Sequence, residues 1–339
     1  MHQGRERPSA GASAARDGAG HVVALDVGGT DVKAAIVAAD HTVIHRVRRP
    51  TRREHGVESV LATITATAAD LAAECRRQTG RAPLAAGVVV PGIVDERTGR
   101  AVFSANLGWR DLPLRDLLTQ QLDLPVALGH DVRAGGIAEG RLGAARGVDE
   151  FVFVALGTGV AAAHVVGGRA QRGAHGGQGE LGHLVIRRWG PRCGCGNVGC
   201  LETYASADAI ARQYMRTAGT LSDPRTDISA EQVSRLALAD DPVAGAVWSQ
   251  AVAALADGLV ACVTLYDPAL IVIGGGLARS GPALFDPLRA ALADRLTFQP
   301  HPEVVAAELG SEAGCRGAAL LAQDLITSAA WHPAAEATA

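Results

Sequence analysis

Apolar residues follow two spacings along this chain. Short unbroken runs, such as Val22-Val23-Ala24-Leu25, predict buried strands, and stretches with apolar positions three and four apart predict helices. The first strand covers Val22 to Val27, and Gly28-Gly29 turns the chain. Strands over Lys33 to Ala38 and Thr42 to Val47 follow as antiparallel hairpins. A helix over Val57 to Arg77 and a strand over Leu84 to Val90, stopped by Pro91-Gly92, come next. A helix over Leu114 to Leu122, a strand over Val126 to Leu128 and a helix over Arg133 to Leu142 close this cycle. A second cycle opens with a strand over Phe151 to Leu156, the turn Gly157-Thr158-Gly159 and a strand over Val160 to Val166. Helices at about 206–217, 230–239 and 243–265 are predicted. A strand over Ala269 to Ile273, a helix near 282–295, a strand near 303–307 and a helix from Gly314 to about Thr327 end the pattern. Both cycles begin strand, glycine turn, strand. That repetition predicts a duplicated α/β unit with a cleft between its halves.

Composition narrows the classes. Hydrophobic residues make up 48% of 339, but aromatics only 4%, so the core must be built of Ala, Val, Leu and Ile. A net charge of −3 does not offer the basic face of a nucleic-acid binder. No stretch holds the roughly 18 uninterrupted apolar residues of a membrane span. Residues 1–20 are Gly, Ala, Ser and charge, which predicts a disordered leader rather than a secretory signal, and Pro333 with the Ala-rich tail is expected to fray. With the cysteines clustered, the cytoplasm is the expected compartment.

Four motifs carry candidate chemistry. In Asp26-Val27-Gly28-Gly29-Thr30, a strand ends in a carboxylate suited to Mg²⁺, and a turn follows whose backbone N–H groups can cradle phosphate. An ordinary hairpin would use the same residues. The matching turn Gly157-Thr158-Gly159 in the second cycle favours phosphate. Gly274-Gly275-Gly276 after a buried strand offers a flat backbone wall for a planar ring, or a plain strand-to-helix loop. His183, Cys193, Cys195 and Cys200 read H-x9-C-x-C-x4-C, a closed zinc set of structural type. A disulfide with a spare cysteine is the alternative, disfavoured by the spacing and by a reducing compartment. Polar groups at element ends complete the set: Asn106, His130-Asp131, Glu180 and Glu202. Asp131, between a strand and a helix, is either a helix cap or a general base at the carboxyl edge of a sheet.

From about Val22 to Leu325 the sequence resembles the ROK (repressor, open reading frame, kinase) sugar kinases of the actin-like ATPase superfamily. The resemblance rests on Asp26-x-Gly28-Gly29-Thr30, Pro91-Gly92-Ile93-Val94-Asp95, Asn106-Leu107-Gly108-Trp109 and Gly157-Thr158-Gly159. It rests most on Gly179-Glu180-Leu181-Gly182-His183 and on Cys193-x-Cys195 through Cys200-Leu201-Glu202. It implies the duplicated ribonuclease H-like fold in two domains around a cleft: residues 21–130 with a C-terminal helix at about 314–328, and residues 131–313 with a zinc loop at 183–200. It implies Asp131 as catalytic base. It implies Asn106, Asp131, Glu180, His183 and Glu202 as ligands of sugar hydroxyls, with His183 also on zinc. The two glycine turns would hold the ATP phosphates and Gly274 to Gly276 the adenosine. Two departures concern the sugar: the family usually has Asn where this chain has His130, and Gly where it has Ala161.

The expected reaction is ATP-dependent phosphorylation of a hexose 6-hydroxyl, with Mg²⁺ as cofactor and structural Zn²⁺. His130 tips the expectation toward N-acetylglucosamine, with glucose as the alternative. N-acetylmannosamine and a sugar-responsive repressor rank lower, since repressors of the family carry a winged helix before the first glycine turn. His130 is expected either to read a sugar hydroxyl and add a titration near neutral pH, or only to cap the next helix. A homodimer or homotetramer is expected, with no nucleic acid or membrane as partner.

Overall fold

The computed structural model describes residues 20–220 and 228–328. The expected leader, up to residue 19, and the Ala-rich tail lie outside the described residues. The chain runs β1 (Val22–Val27), β2 (Asp31–Val37), β3 (Val43–Pro50), α1 (Val57–Thr79), β4 (Ala85–Val90), β5 (Ile93–Asp95), β6 (Arg100–Ser104), β7 (Trp109–Leu112), α2 (Leu114–Leu122), β8 (Val126–His130) and α3 (Asp131–Leu142). It continues with β9 (Glu150–Leu156), β10 (Val160–Val166), β11 (Arg169–Ala170), α4 (Glu202–Ala205), α5 (Ala207–Thr217), α6 (Ala230–Leu238), α7 (Pro242–Tyr266), β12 (Leu270–Gly274), α8 (Pro282–Ala293), β13 (Glu303–Ala306) and α9 (Ala313–Thr327).

The repetition read along the chain is a repetition in space. One sheet has the order β3-β2-β1-β4-β8 and another the order β11-β10-β9-β12-β13. In each, the first hairpin is antiparallel and the next two strands add in parallel. Period-two alternation splits every central strand between two cores. Val23, Leu25 and Val27 of β1 face the layer of α1 and α2, while Val22 and Ala24 face α9. In β9, Val152, Val154 and Leu156 face the α7 layer, while Phe151 and Phe153 face the layer that includes Val132 of α3. Burial on both faces is why these strands read as unbroken apolar runs.

The helices that close the two halves are exchanged. α3 follows the first sheet but packs on β9 and β10, and α9 follows the second sheet but packs on β1, β4 and β8. They pack on each other between the sheets through small residues, Ala134, Ala318, Ala319 and Ala322 among them. A β-carbon at Gly87 of β4 would lie 1.8 Å from the Ala318 carbonyl oxygen, so only glycine admits α9 at this depth. Close packing of this kind needs no aromatic bulk, which accounts for the aromatic-poor composition.

Helix α7 has 25 residues, and its most apolar window has a mean hydropathy of 1.6, enough in length and composition for a membrane span. Val252, Leu255, Leu259 and Val263 instead fill the core beneath β9 and β12. Each such burial contributes about 1.5–3 kcal/mol. Asp241 accepts the Ala244 N–H at 2.7 Å and Pro242 takes the first helical position, so the start of the helix is set locally.

The sheet β5-β6-β7 was not expected. Its strands span three to five residues, too short for an alternating pattern, and are held by Val94, Ala101 and Trp109 packing into the first core.

Candidate active site

The motif residues gather where strands end. Asp26 stands at the carboxyl end of β1, His130-Asp131 at that of β8, Gly157-Thr158-Gly159 follows β9, and Gly274 ends β12. Ligands of open α/β sheets lie beyond these ends. The two glycine turns occupy matching places in the two sheets, with Thr30 and Thr158 exposed on them. In the first, the Gly28 N–H donates to the Asp31 carbonyl at 2.9 Å. Buried Thr51 clasps that turn: its hydroxyl donates to the Gly28 carbonyl at 2.7 Å and its N–H to the Thr30 carbonyl at 2.9 Å.

Asp26 is largely buried beside another carboxylate. Burial, and then the charge of Asp131, raise its pKa to about 7, against the pull of Lys33 at 3.9 Å. Two carboxylates crowded in low dielectric are the donor chemistry that a divalent cation relieves.

Asp131 is the first residue of α3, and its Oδ1 accepts the Val132 N–H at 2.8 Å. His130, 5% exposed, caps the helix: Nδ1 accepts the Arg133 N–H at 3.3 Å. That leaves the ring proton on Nε2. Burial lowers the pKa of His130 below its usual 6.5, although Asp131 pulls the other way at 3.4 Å. The imidazole is therefore neutral at pH 7, and it costs stability only as pH falls below 6.5, where the unfolded chain takes the proton first. The titration near neutral pH expected from the sequence moves to lower pH. For His130→Asn we expect a fold of unchanged stability, because Asn caps helices well. The ratio of kcat/KM between glucose and N-acetylglucosamine should shift by roughly 2- to 13-fold, the worth of one hydrogen bond. The profile from pH 6 to 9 should keep its shape. An unchanged ratio would make His130 a cap and nothing more.

Glu180 and His183 lie on one short turn beside β10. A β-carbon at Gly179 (φ 97°) would lie 2.0 Å from the Ala162 carbonyl oxygen, so this turn can lie against the strand only through glycine. His183 faces two ways: its Nε2 is 3.9 Å from Glu180 Oε2, and its Nδ1 is 3.6 Å from Cys193 Sγ. Cys195 and Cys200 sulfurs are 3.8 Å apart, and all four ligand atoms lie within 4.8 Å of one another. Tetrahedral zinc bonds place sulfurs about 3.8 Å apart and a sulfur about 3.6 Å from a nitrogen, so the cluster has the size of a zinc site and not of a disulfide. Glu202 starts α4 just past Cys200, and its Oε2 accepts the Val160 N–H at 3.0 Å, beside the second glycine turn. Asn106 stands by the first turn: a β-carbon at Gly29 would be 3.8 Å from Asn106 Cβ. The three glycines at the end of β12 divide. Gly274 is buried against Phe153, Gly275 (φ 85°) lies against the Leu156 backbone, and only Gly276 has an open face.

The structure adds residues that the sequence reading passed over. Arg133, 2% exposed, donates through Nε to Glu96 Oε1 at 3.0 Å, through Nη1 to the Gly176 carbonyl at 3.0 Å and through Nη2 to the Val94 carbonyl at 3.3 Å. One guanidinium thus ties α3 to β5 and to the loop that leads into Glu180. The signal was an arginine in the first turn of a helix, where a cation opposes the helix dipole and needs a partner.

The ROK family model matches residues 22–325. The chain is 32% identical over 317 residues to a glucokinase of Thermotoga maritima, covering 90% of this chain and 98% of that protein. It is similar to the ROK hexokinase of Thermus thermophilus, with 35% identity and a TM-score of 0.77 over 90% of this chain and 99% of that one. It is also similar to a ROK glucokinase of Streptomyces griseus in complex with glucose and AMPPNP, with 30% identity and a TM-score of 0.79 over 90% of this chain and all of that one (100%). The duplicated sheets are the actin-like ATPase fold of these structures, and the chain belongs to the ROK family.

Proposed function

We propose that this chain is a hexose kinase that transfers the γ-phosphoryl group of ATP to the 6-hydroxyl of its sugar. The observation that carries the reading is Asp131 at the carboxyl end of β8, 3.4 Å from His130 and near enough to Asp26 for its charge to raise the pKa of that carboxyl beside the first glycine turn. Asp131 takes the hydroxyl proton as the sugar oxygen bonds to the γ-phosphorus, the bond to the β-phosphate oxygen breaks, and ADP leaves. Asn106, Glu180, His183 and Glu202 orient the ring hydroxyls, and the backbone of the two glycine turns meets the phosphates. Mg²⁺, held by Asp26, would neutralise phosphate charge. Zn²⁺ on His183, Cys193, Cys195 and Cys200 would fix the loop from Glu180 to Glu202. None of the six cysteines is in a disulfide, which suits the cytoplasm.

Glucose is the sugar we favour. The relatives just described include glucokinases, and the support for N-acetylglucosamine came from His130, whose Nδ1 is engaged as a helix cap. The test is ADP release from ATP over glucose, N-acetylglucosamine and N-acetylmannosamine. Glucose should give the highest kcat/KM. Preference for an N-acetyl sugar would overturn the sugar assignment, and no turnover with any hexose would overturn the kinase reading.

A further inference from the structure

We infer that Arg53 is a catalytic residue that contacts the phosphoryl group in transfer. The inference rests on the kinase reading above. The two glycine turns occupy matching places in the duplicated sheets, but different side chains cover them. A β-carbon built at Gly159 would meet Glu202 Oε2 at 2.6 Å, while one built at Gly29 would meet Arg53 Nη1 at 3.2 Å and the guanidinium carbon at 3.9 Å. The second turn therefore lies under a carboxylate and the first under a cation. Asn106 Cβ is 3.8 Å from the same point, so the guanidinium stands beside both the first phosphate turn and a candidate sugar ligand.

The placement is built. Thr51 bonds twice to the Gly28–Thr30 turn, Arg52 takes a left-handed conformation (φ 59°), and that bend returns Arg53 over Gly29. Arg53 is exposed, and its side chain has no hydrogen-bond or ion-pair partner among the described residues. The other cation beside this turn, Lys33, donates to the Ser311 carbonyl at 3.0 Å and lies 3.9 Å from Asp26. Arg48 and Arg49 are paired with Asp31 and Asp70. Arg53 is thus free to meet negative charge at the turn. In the transfer, the sugar oxygen–phosphorus bond forms, the bond to the β-phosphate breaks and the hydroxyl proton goes to Asp131. Arg53 stabilises the charge on the equatorial oxygens and exchanges no proton.

The test uses the full chain with Mg²⁺ and saturating glucose. Arg53→Ala should lower kcat by about 10- to 100-fold, less than a buried arginine would, because solvent screens an exposed one. The KM for glucose should change less than about twofold. Calorimetry should show binding of AMPPNP weakened about tenfold and that of ADP unchanged, since only the former has a γ-phosphate. Arg53→Lys should recover part of both losses. Arg52→Asn, which suits the left-handed backbone and removes a charge from the same segment, should behave as the wild type. Equal losses for AMPPNP and ADP, an unchanged kcat in Arg53→Ala, or an equal defect in Arg52→Asn would each overturn the role of Arg53. Failure of the wild type to phosphorylate any hexose would overturn the kinase reading instead, and the comparison of AMPPNP with ADP would still report on Arg53.

Discussion

Asp131→Asn is expected to lower kcat by at least about 10²-fold while the KM for the sugar changes less than about threefold. The substitution keeps shape and most hydrogen bonding. Its side-chain oxygen can still accept the Val132 N–H that Asp131 Oδ1 accepts at 2.8 Å, and Asn serves well at the start of a helix. What it loses is the ability to take a proton. A positioned base contributes about 10²- to 10⁴-fold, and the remaining catalysis comes from positioning and from charge around the phosphates, which the variant keeps. The variant also removes one of the two charges that crowd Asp26, so the Asp26 carboxyl should hold its proton less tightly than in the wild type. Steady-state kinetics with a thermal melt as control decide the matter. A stable variant within threefold of wild-type turnover would remove Asp131 from the mechanism.

Cys195→Ser is expected to lose both metal and activity. Elemental analysis of the wild type should find one zinc per chain, held by His183, Cys193, Cys195 and Cys200. Burial pushes the Cys200 thiol up to about 12, so a thiolate there needs a cation to hold it. Without the metal, His183 is no longer fixed through Nδ1, and Nε2 loses its orientation toward Glu180. The loop loses its tie at Cys200, one residue pair of which, Val185 with Cys200, bridges the two ends of the segment. Glu202, two residues on, would then release the Val160 N–H beside the second glycine turn. Turnover should fall below detection and the melting temperature should drop. Active protein that contains no zinc would sink the claim.

The strand runs were legible because both faces of the central strands are buried, so β4 and β12 carry no polar residue, and β1 and β9 carry one each, Asp26 and Glu150, near an end. The duplicated order was legible because each half opens on the same local chemistry, a buried strand and a glycine turn. The boundaries of α2 and β10 came out as read, since Pro113 and the Gly157–Gly159 turn fix them locally. The short β5-β6-β7 sheet was not legible: it depends on Trp109, Val94 and Ala101 finding a core made by other elements. The cysteine cluster could be read from spacing alone, because the ligands other than His183 lie within one tight knuckle.

Other features depended on contacts distant in sequence. The exchange of α3 and α9 follows from close packing of Ala and Gly surfaces, which has no periodic signal of its own. The sequence left His130 open between reading a sugar and capping a helix. The tertiary structure places Nδ1 on the Arg133 N–H, and burial decides its charge. Arg133 reads as one more polar residue until Glu96, Val94 and Gly176 surround its guanidinium. Arg53 reads as one of several arginines in a basic run until Thr51 and the bend at Arg52 set it over Gly29. The sequence by itself determined which strands are buried, where the glycine turns lie and which thiols cluster, because each is set by neighbours along the chain. Only the tertiary structure decided which charges are paired, which are buried and which remain free at the site, because those depend on what the fold brings alongside.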